Sequence, residues 1–528
     1  MNEIEALILL VAVGAVLVRL SDALSIPYPI VLVIGGLSLG FLPGGPDIEL
    51  DPEVIFLVFL PPLLQAAGYY SSPRELRAEL GPLSGLVLGL TLATMLVVGA
   101  VAQAAIPEIS WAEGLLLGAI VAPTDPVAAL ATFDRVGVTE RVRLLVESES
   151  MVNDATALVA YRVALTAVVA GTLSAGDAVL ELVVAVAGGI AIGFAVGWAG
   201  LQASKRVDDD SLVTLVSLLM AYVAFALAEQ VEASGVLAVV TTGLYLGWNA
   251  HKAFGAEARL HAQAFWQVLV FILNIVLFIL LGLQAPDILE SVGERFDAAE
   301  IVGYGLLVSA TVIAMRLAWQ FLPPLLERVL PAAGRISTGD GWRESVLIGW
   351  SGMRGAVSLA AALALPLTLD DGSAFADRDL IIYLTVAVIL VTLVGQGLTL
   401  PALIRWLGLS RTVAWAPDEA VARLEAAQAA LDHLDRLEQE RDDVPDEVIE
   451  RLREVYRARF QRCVEAMEGE AGGRTIEDPA SHLREVRREL IGVERSVLLK
   501  LRDEDRAKAD VLRRIQRELD LDEARFAG

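Results

Sequence analysis

Residues 144–165, LLVESESMVNDATALVAYRVAL, have the length of a membrane-spanning helix, yet polar residues fill the middle of the stretch. The polar residues are Glu147, Glu149, Ser150, Asn153 and Asp154. Residues four apart share a helix face, so Glu149 lies above Asn153 and Ser150 lies above Asp154. Asp154 is about 16 Å along the helix from Arg143, which places it near the middle of a bilayer. Ionisable groups at that depth are costly and indicate function, whereas a hydrogen-bonded packing seam between helices is the alternative for Asp154 and Ser150.

The composition places this stretch in a polytopic membrane protein. Hydrophobic residues make up 55% of the 528 residues, and apolar runs recur through residues 1–410. A window of about 20 residues, matched to about 30 Å of hydrocarbon, is the length criterion for a span. It gives thirteen predicted spans, at 4–20, 28–42, 52–70, 81–105, 111–133, 143–170, 178–202, 211–231, 234–250, 263–284, 299–326, 343–368 and 379–407. The single cysteine, Cys463, excludes an internal disulfide framework, and no Cys/His pattern typical of a metal site is present.

Basic residues in the predicted loops indicate the orientation. They fall in every second connection, at Arg74 and Arg77, Arg135, Arg141 and Arg143, Lys205 and Arg206, Lys252 and Arg259, and Arg328 and Arg335. Cytoplasmic loops carry an excess of Lys and Arg. We therefore expect a multi-pass protein of the cell inner (plasma) membrane with its amino terminus outside and its carboxyl terminus in the cytoplasm.

The chain changes character after the last predicted span. Residues 411–528 are rich in charge and carry apolar residues at helical spacing, which predicts a cytoplasmic helical domain that follows a transmembrane domain at 1–410. Dimer support and regulation are the roles expected of it. Glycines at 469–473 and the sequence EDPA at 477–480 predict a break into two helical parts. No glycine-rich phosphate loop is seen in this domain, so we expect no nucleotide and no nucleic acid as partner.

The fifth predicted span contains APTDPVAA, in which Pro123 and Pro126 flank Thr124 and Asp125. Two prolines three residues apart remove helical hydrogen bonds and free backbone carbonyls beside a carboxylate. Unwound backbone at membrane depth is tolerated where it lines a cavity and binds ions. A simple proline kink is the alternative, although a kink alone does not require Asp125.

The twelfth predicted span, ESVLIGWSGMRGAVSLAAALALP, also reads as a broken helix. Gly352, Arg354 and Gly355 lie in its interior. Spans five and twelve are seven apart, so spans 1–6 and 8–13 can form an inverted repeat, which is typical of secondary transporters. Arg316 in the eleventh span needs either a buried partner or an extended side chain that reaches the membrane surface.

Several motifs in order resemble those of the cation/proton antiporter superfamily, in the branch of the sodium/proton exchangers and their prokaryotic members. They are FLPPLL, APTDPVAA, ESESMVNDATALV and GMRGAVSLA. The resemblance covers residues 1–410 and implies an all-helical antiporter that exchanges a monovalent cation, Na⁺ in the first place and Li⁺ or K⁺ as alternatives, for H⁺. It implies no enzyme activity and no cofactor.

The resemblance also implies roles for individual residues. Asp154 would bind cation and proton in turn, with Asn153 beside it and with Asp125, Thr124 and Ser150 completing the site. Glu149 and Arg316 resemble the family's structural ion pair, and Arg354 resembles the glycine-flanked arginine that supports the broken twelfth helix. A homodimer surrounded by lipid is implied, with spans 1–3 and 8–10 as the interface scaffold and with spans 4–6 and 11–13 as the moving core.

Two sequence features bear on the transported ions. Ala66 stands where many similar sequences place an acidic residue near the cation path, so either Gln65 or water fills that place or the site binds the cation more weakly. The pair Asn153–Asp154 differs from the two adjacent aspartates of electrogenic relatives, and an asparagine cannot titrate. We therefore expect electroneutral exchange of one cation for one proton. A K⁺/H⁺ antiporter of the same fold is the alternative, and a cation channel or membrane sensor is a more distant one.

Overall fold

The computed structural model describes most of the chain as helices. The described residues are 3–24, 26–42, 52–70, 83–170, 175–207, 209–231, 233–321, 341–369, 372–410, 417–440 and 445–472, with a few positions between 490 and 497. In this part of the chain the only bridge outside helices joins Thr368 to Ala374. The chain divides into two compact units, Met1–Thr412 and Val413–Gly528.

The helices of the first unit follow the predicted spans closely. They are α1 (Glu3–Leu24), α2 (Tyr28–Gly40), α3 (Pro52–Tyr70), α4 (Leu83–Ala105), α5 (Trp111–Val121), α6 (Val127–Val136), α7 (Glu140–Ala170), α8 (Ala175–Ser204), α9 (Asp210–Gln230), α10 (Gly235–Ala253), α11 (Ala256–Gly293), α12 (Ala298–Gln320), α13 (Trp342–Trp350), α14 (Ala356–Leu363), α15 (Arg378–Leu390), a π-helical segment (Val391–Gln396) and α16 (Gly397–Leu407). The arginines at 74, 77, 328 and 335 lie outside the described residues.

Six of the described segments are long and apolar enough to cross a membrane by length and composition. They are Leu88–Ala105, Val183–Ser204, Asp210–Gln230, Glu257–Gly293, Ala298–Gln320 and Arg378–Leu407. Shorter apolar helices account for other predicted spans, among them Tyr28–Gly40 and Trp111–Val121. A multi-pass, all-helical membrane architecture is therefore present, and the full number of thirteen spans stays a prediction.

Helices of the first unit pack into two groups. In the first group, α2 runs along α11, and α10 packs between α3 and α8. In the second group, α4 packs against α5 and α12, and α5 also packs against α7. In the first group, helices approach each other closely where glycines, which have no side chain, lie at the contacts. A Cβ atom on Gly36 would strike the Ile279 carbonyl of α11, and one on Gly247 would strike the Tyr69 carbonyl of α3. Small residues at such contacts are typical of helix packing in membranes.

The second unit contains two helices that pack on each other, α17 (Pro417–Glu440) and α18 (Asp446–Gly472). Leu434 and Ile449 are buried between them, and Arg453 of α18 forms ion pairs with Asp435 and Glu438 of α17. Helix α18 ends at Gly472, inside the predicted break. The end of α17 at Glu440 and the start of α18 at Asp446 were not predicted from the sequence, although Pro445, which has no N–H group, directly precedes α18.

Candidate cation and proton site

The fifth and twelfth spans are both broken in the middle. Helix α5 starts with a capping box between Ser110 and Glu113 and ends at Val121, and helical structure resumes only at Val127. Helix α13 ends at Trp350 and α14 begins at Ala356. Pro123 and Pro126 lie in the first non-helical stretch. Proline has no N–H group to donate in a helix, which favours a break there. These two stretches, 122–126 and 351–355, are called the crossing below.

Hydrogen bonds join the two stretches directly, and Asp125 makes most of them. Its backbone N–H donates to the carbonyl of Met353 at 2.7 Å. Its carboxylate accepts the N–H of Val127 at 2.9 Å through one oxygen and that of Ala356 at 3.0 Å through the other. Val127 and Ala356 are the first residues of α6 and α14, so Asp125 holds its negative charge at two helix N-termini at once.

Two buried arginines face the opposite ends of the broken helices. The Nε of Arg354 donates to the Val121 carbonyl at the end of α5, at 3.0 Å. The Nη2 of Arg316, on α12, donates to the Ile348 carbonyl near the end of α13, at 3.3 Å. A positive charge is favourable at a helix C-terminus. Each of the four helix ends at the crossing therefore has a side chain of the complementary charge.

Arg316 also forms an ion pair with Glu149 of α7, with Nη1 and Oε1 2.6 Å apart. Both side chains are buried. The two residues that the resemblance pairs are thus in contact, and the extended conformation expected of a snorkelling arginine is not what Arg316 adopts. Buried charges of this kind are tolerated when they are paired and hydrogen-bonded.

The two glycines of GMRG leave room for these charged side chains. A Cβ atom on Gly352 would overlap the Arg316 guanidinium, and a Cβ atom on Gly355 would overlap the Asp125 carboxylate. Glycine is suited to such close approach because it has no side chain. Gly352 and Gly355 therefore support the crossing because the absence of a side chain leaves space for Arg316 and Asp125.

Helix α7 is attached to the first unwound stretch by neutral polar side chains. The Ser150 hydroxyl donates to the Thr124 carbonyl, and the Asn153 amide nitrogen donates to the Ala122 carbonyl at 3.2 Å. Thr91 of α4 donates its hydroxyl to the Asn153 carbonyl oxygen. Thr91 was not predicted as a site residue, since a lone threonine in an apolar span carries no distinctive signal.

Asp154 differs from the other carboxylates described around the crossing, Asp125 and Glu149, whose hydrogen bonds are given above. It is 9% exposed, and its Oδ1 is buried with no hydrogen-bond partner in the described structure. The predicted site residues Thr124, Ser150 and Asn153 are also buried, while Asp125 is half-buried. The structure therefore brings the five predicted ligand residues to one junction of α7 with the crossing, where a carboxylate oxygen is free to accept a cation or a proton.

Ala66 and Gln65 lie elsewhere. Ala66 packs with Ala262 and Trp266 of α11 in a small apolar cluster. The Gln65 amide nitrogen donates to the Ser217 carbonyl of α9, so this nitrogen is used within the α3–α9–α11 group. Within the described residues, no group of three or more His, Cys, Asp or Glu side chains is suited to hold a metal ion.

Two crossed, broken helices with buried charged side chains at their junction are typical of a membrane transporter for ions. The chain belongs to the sodium/hydrogen exchanger family, because residues 8–406 match the family described as "Sodium/hydrogen exchanger, transmembrane". A protein named as an uncharacterized Na(+)/H(+) exchanger from Mycobacterium bovis is 35% identical over 99% of this chain and 95% of its own length.

Two further comparisons give the breadth of the similarity. A sodium, potassium, lithium and rubidium/H(+) antiporter from Bacillus pumilus is 34% identical over 72% of this chain and 58% of its own length. The solved structure of the sodium proton antiporter MjNhaP1 from Methanocaldococcus jannaschii has a TM-score of 0.62 at 21% identity. It covers 77% of this chain and 99% of that one, which shows a shared fold. The predicted family is confirmed.

Proposed function

We propose that this cation/proton antiporter exchanges one monovalent cation for one proton at Asp154 by alternating access. The free Oδ1 of Asp154 is the observation that carries the proposal. Burial of a carboxylate favours its protonated form, whereas a nearby cation favours the ionised form. One carboxylate of this kind can hold a proton or a cation but not both, so the two ions compete for it.

The charges around the crossing support coupling between the two fluxes. Arg316 is paired with Glu149. Arg354 carries the second positive charge and Asp125 the second negative one, so Asp154 is the remaining carboxylate without a matching cation. An unmatched charge in the membrane interior costs a few kcal/mol or more. Movement of the core with an empty, ionised Asp154 is therefore energetically unfavourable. A core that carries either ion at Asp154 is neutral at this site and can move.

We propose a set of cation ligands and an assembly for the protein as well. Asp154, Ser150 and Thr124 supply oxygens for the cation, Asn153 positions α7, and Asp125 closes the site from the crossing. Na⁺ is the proposed substrate, with Li⁺ and K⁺ as the ions to compare, and no cofactor is required. The protein is proposed to act as a homodimer in the plasma membrane, surrounded by lipid, with its amino terminus outside and Val413–Gly528 in the cytoplasm.

The test is ion exchange by proteoliposomes that contain a pH-sensitive dye. Each cation is added in turn, and saturable proton movement that requires an ion on the opposite side is expected. The Asp154→Asn variant keeps the shape of the side chain but cannot titrate, so it should fold as a normal dimer and show no exchange. Asp287→Asn, which changes an exposed carboxylate of α11, is the matched control and should exchange normally.

Robust exchange by Asp154→Asn would refute the central claim. Cation flux through the wild-type protein without any counter-ion would instead indicate a channel, because a channel conducts without exchange.

A further inference from the structure

The thirteenth span changes its helical winding beside the crossing. Residues Val391–Gln396 form a π-helical turn between α15 and α16. Such turns are rare and frequently occur at functional sites. The Thr392 hydroxyl in this turn accepts the backbone N–H of Arg354 at 3.1 Å, which attaches the turn to the second unwound stretch of the crossing.

Gln396 ends this turn with an unusual side chain. It is only 2% exposed, and neither its amide oxygen nor its amide nitrogen has a hydrogen-bond partner within the described structure. Asn153 and Gln65, two other buried amides of the first unit, are at least partly engaged: Asn153 bonds to the Ala122 carbonyl, and the Gln65 nitrogen bonds to the Ser217 carbonyl while its oxygen has no partner in the described structure. A buried amide with all its hydrogen-bonding capacity unused destabilises a protein, so its presence requires an explanation.

The surroundings of Gln396 place it where the two helix groups meet. A Cβ atom on the next residue, Gly397, would contact Ile30 of α2 and Met353 of the crossing. Met353 is the residue whose carbonyl accepts the N–H of Asp125. The π-helical turn also packs against both α2 and α12. Gln396 therefore lies at the boundary between the proposed scaffold and the crossing that the cation must reach.

A purely structural role does not account for this amide. Polar side chains that join membrane helices do so through hydrogen bonds across the contact, and the side chain of Gln396 makes none to the residues that the structure describes. Its free oxygen and its two N–H donors match the chemistry of water and of a hydrated monovalent cation. An amide also cannot titrate, so a ligand there adds no proton to the transport cycle.

We propose that Gln396 is a positioning residue for transport, whose amide binds the hydration water of a monovalent cation on its way to Asp154. This inference rests on the proposed exchange at Asp154. The amide replaces part of the water shell that the ion loses, and so it lowers the cost of entry into the crossing. The destabilising, unpartnered amide is thus retained for its function.

The test is the Gln396→Met variant, in which an apolar side chain of similar length replaces the amide. The apparent KM for Na⁺ should rise about fivefold, the effect of losing one net hydrogen bond, with little change in the maximal rate. The Tm of the purified protein should stay the same or rise, because two unsatisfied polar atoms are removed. Exchange is followed in proteoliposomes over a range of Na⁺ concentrations, and Tm is measured in detergent.

Gln65→Met is the matched control for stability. It makes the same change at a buried glutamine whose nitrogen is bonded, so its Tm should fall. A comparable fall in Gln396→Met would show a structural amide and overturn the proposal, as would an unchanged KM. The KM comparison requires only that the protein exchanges ions. An active Asp154→Asn variant would therefore count against the proposed function and leave the result for Gln396 standing.

Discussion

Glu149 and Arg316 are 167 residues apart in the chain, yet their side chains meet in the interior of the first unit. Removing one partner leaves the other charged and unmatched at low dielectric, which costs about 3–5 kcal/mol in buried pairs. We expect Glu149→Ala and Arg316→Ala each to lower Tm by several degrees. The double variant should recover part of the loss, and thermal unfolding in detergent measures all three.

The double-mutant comparison separates a true pair from two independent positions. Strictly additive losses in Tm would show that the residues do not interact. The Arg316 variant should be the more damaging of the two, because Arg316 also donates to the Ile348 carbonyl at the end of α13.

At the scale of single residues, the candidate site could be predicted from the sequence because a charged side chain in a membrane has a high free-energy cost. Asp154, Asp125, Glu149, Arg316 and Arg354 stand out because ionisable groups are expensive there. The particular partners could not be predicted in the same way. Asp125 accepts the N–H groups at the start of two helices, and this arrangement depends on the path of the backbone. Thr91, Thr392 and Gln396 are neutral, and neutral polar residues are common in membrane helices.

At the scale of helices, the breaks in spans five and twelve were predictable because proline and clustered glycine disfavour a continuous helix. The π-helical turn at Val391–Gln396 was not, since its sequence, VTLVGQ, contains no such residue apart from one glycine. The turn contacts distant parts of the chain, as in the hydrogen bond between Thr392 and Arg354, and such contacts cannot be predicted from the local sequence.

The end of α11 is fastened to the start of α15 by three polar contacts. Ser291 donates to Asp379 at 2.6 Å, and Arg295 donates to the Ala376 carbonyl at 2.7 Å and to Asp377 at 2.8 Å. In the proposed mechanism α11 belongs to the scaffold and α15 to the moving core. These contacts must therefore break once in every transport cycle.

A reversible cross-link at this place should stop transport. We expect the double variant Ser291→Cys and Asp379→Cys to lose exchange on oxidation and to regain it with reductant, because the link holds scaffold and core together. The chain has a single native cysteine, Cys463, in the second unit, which simplifies the measurement. Each single cysteine variant is the control and should not respond to oxidant. Full exchange by the cross-linked protein would show that α11 and α15 do not separate.

At the scale of the whole molecule, the charge balance predicts a cycle that ignores the membrane potential. Asn153 cannot titrate, and both oxygens of Asp125 hold backbone N–H groups whose bonds protonation would weaken. Asp154 is then left to exchange one proton for one cation. A potential acts on net charge with about 2.3 kcal/mol per elementary charge per 100 mV, so a neutral cycle should not respond to it.

Proteoliposomes with imposed potassium–valinomycin potentials of both signs provide the measurement. With no initial pH gradient, the final cation-driven gradient should be the same at every potential. A gradient that follows the imposed potential would show a second proton per cation, and Asp125 would then be the first residue to examine.

The crossing also constrains how the protein is made. Arg354 meets Val121, a residue that precedes it by 233 positions, and Ala356 meets Asp125 across 231 positions. At about 5–20 residues per second, roughly ten to fifty seconds of synthesis separate the two halves of the crossing. During that interval the Val121 carbonyl, the Asp125 N–H and one oxygen of the Asp125 carboxylate lack the partners that the twelfth span supplies. Hydrocarbon cannot satisfy them, so this segment must wait beside water or the insertion machinery until the twelfth span arrives.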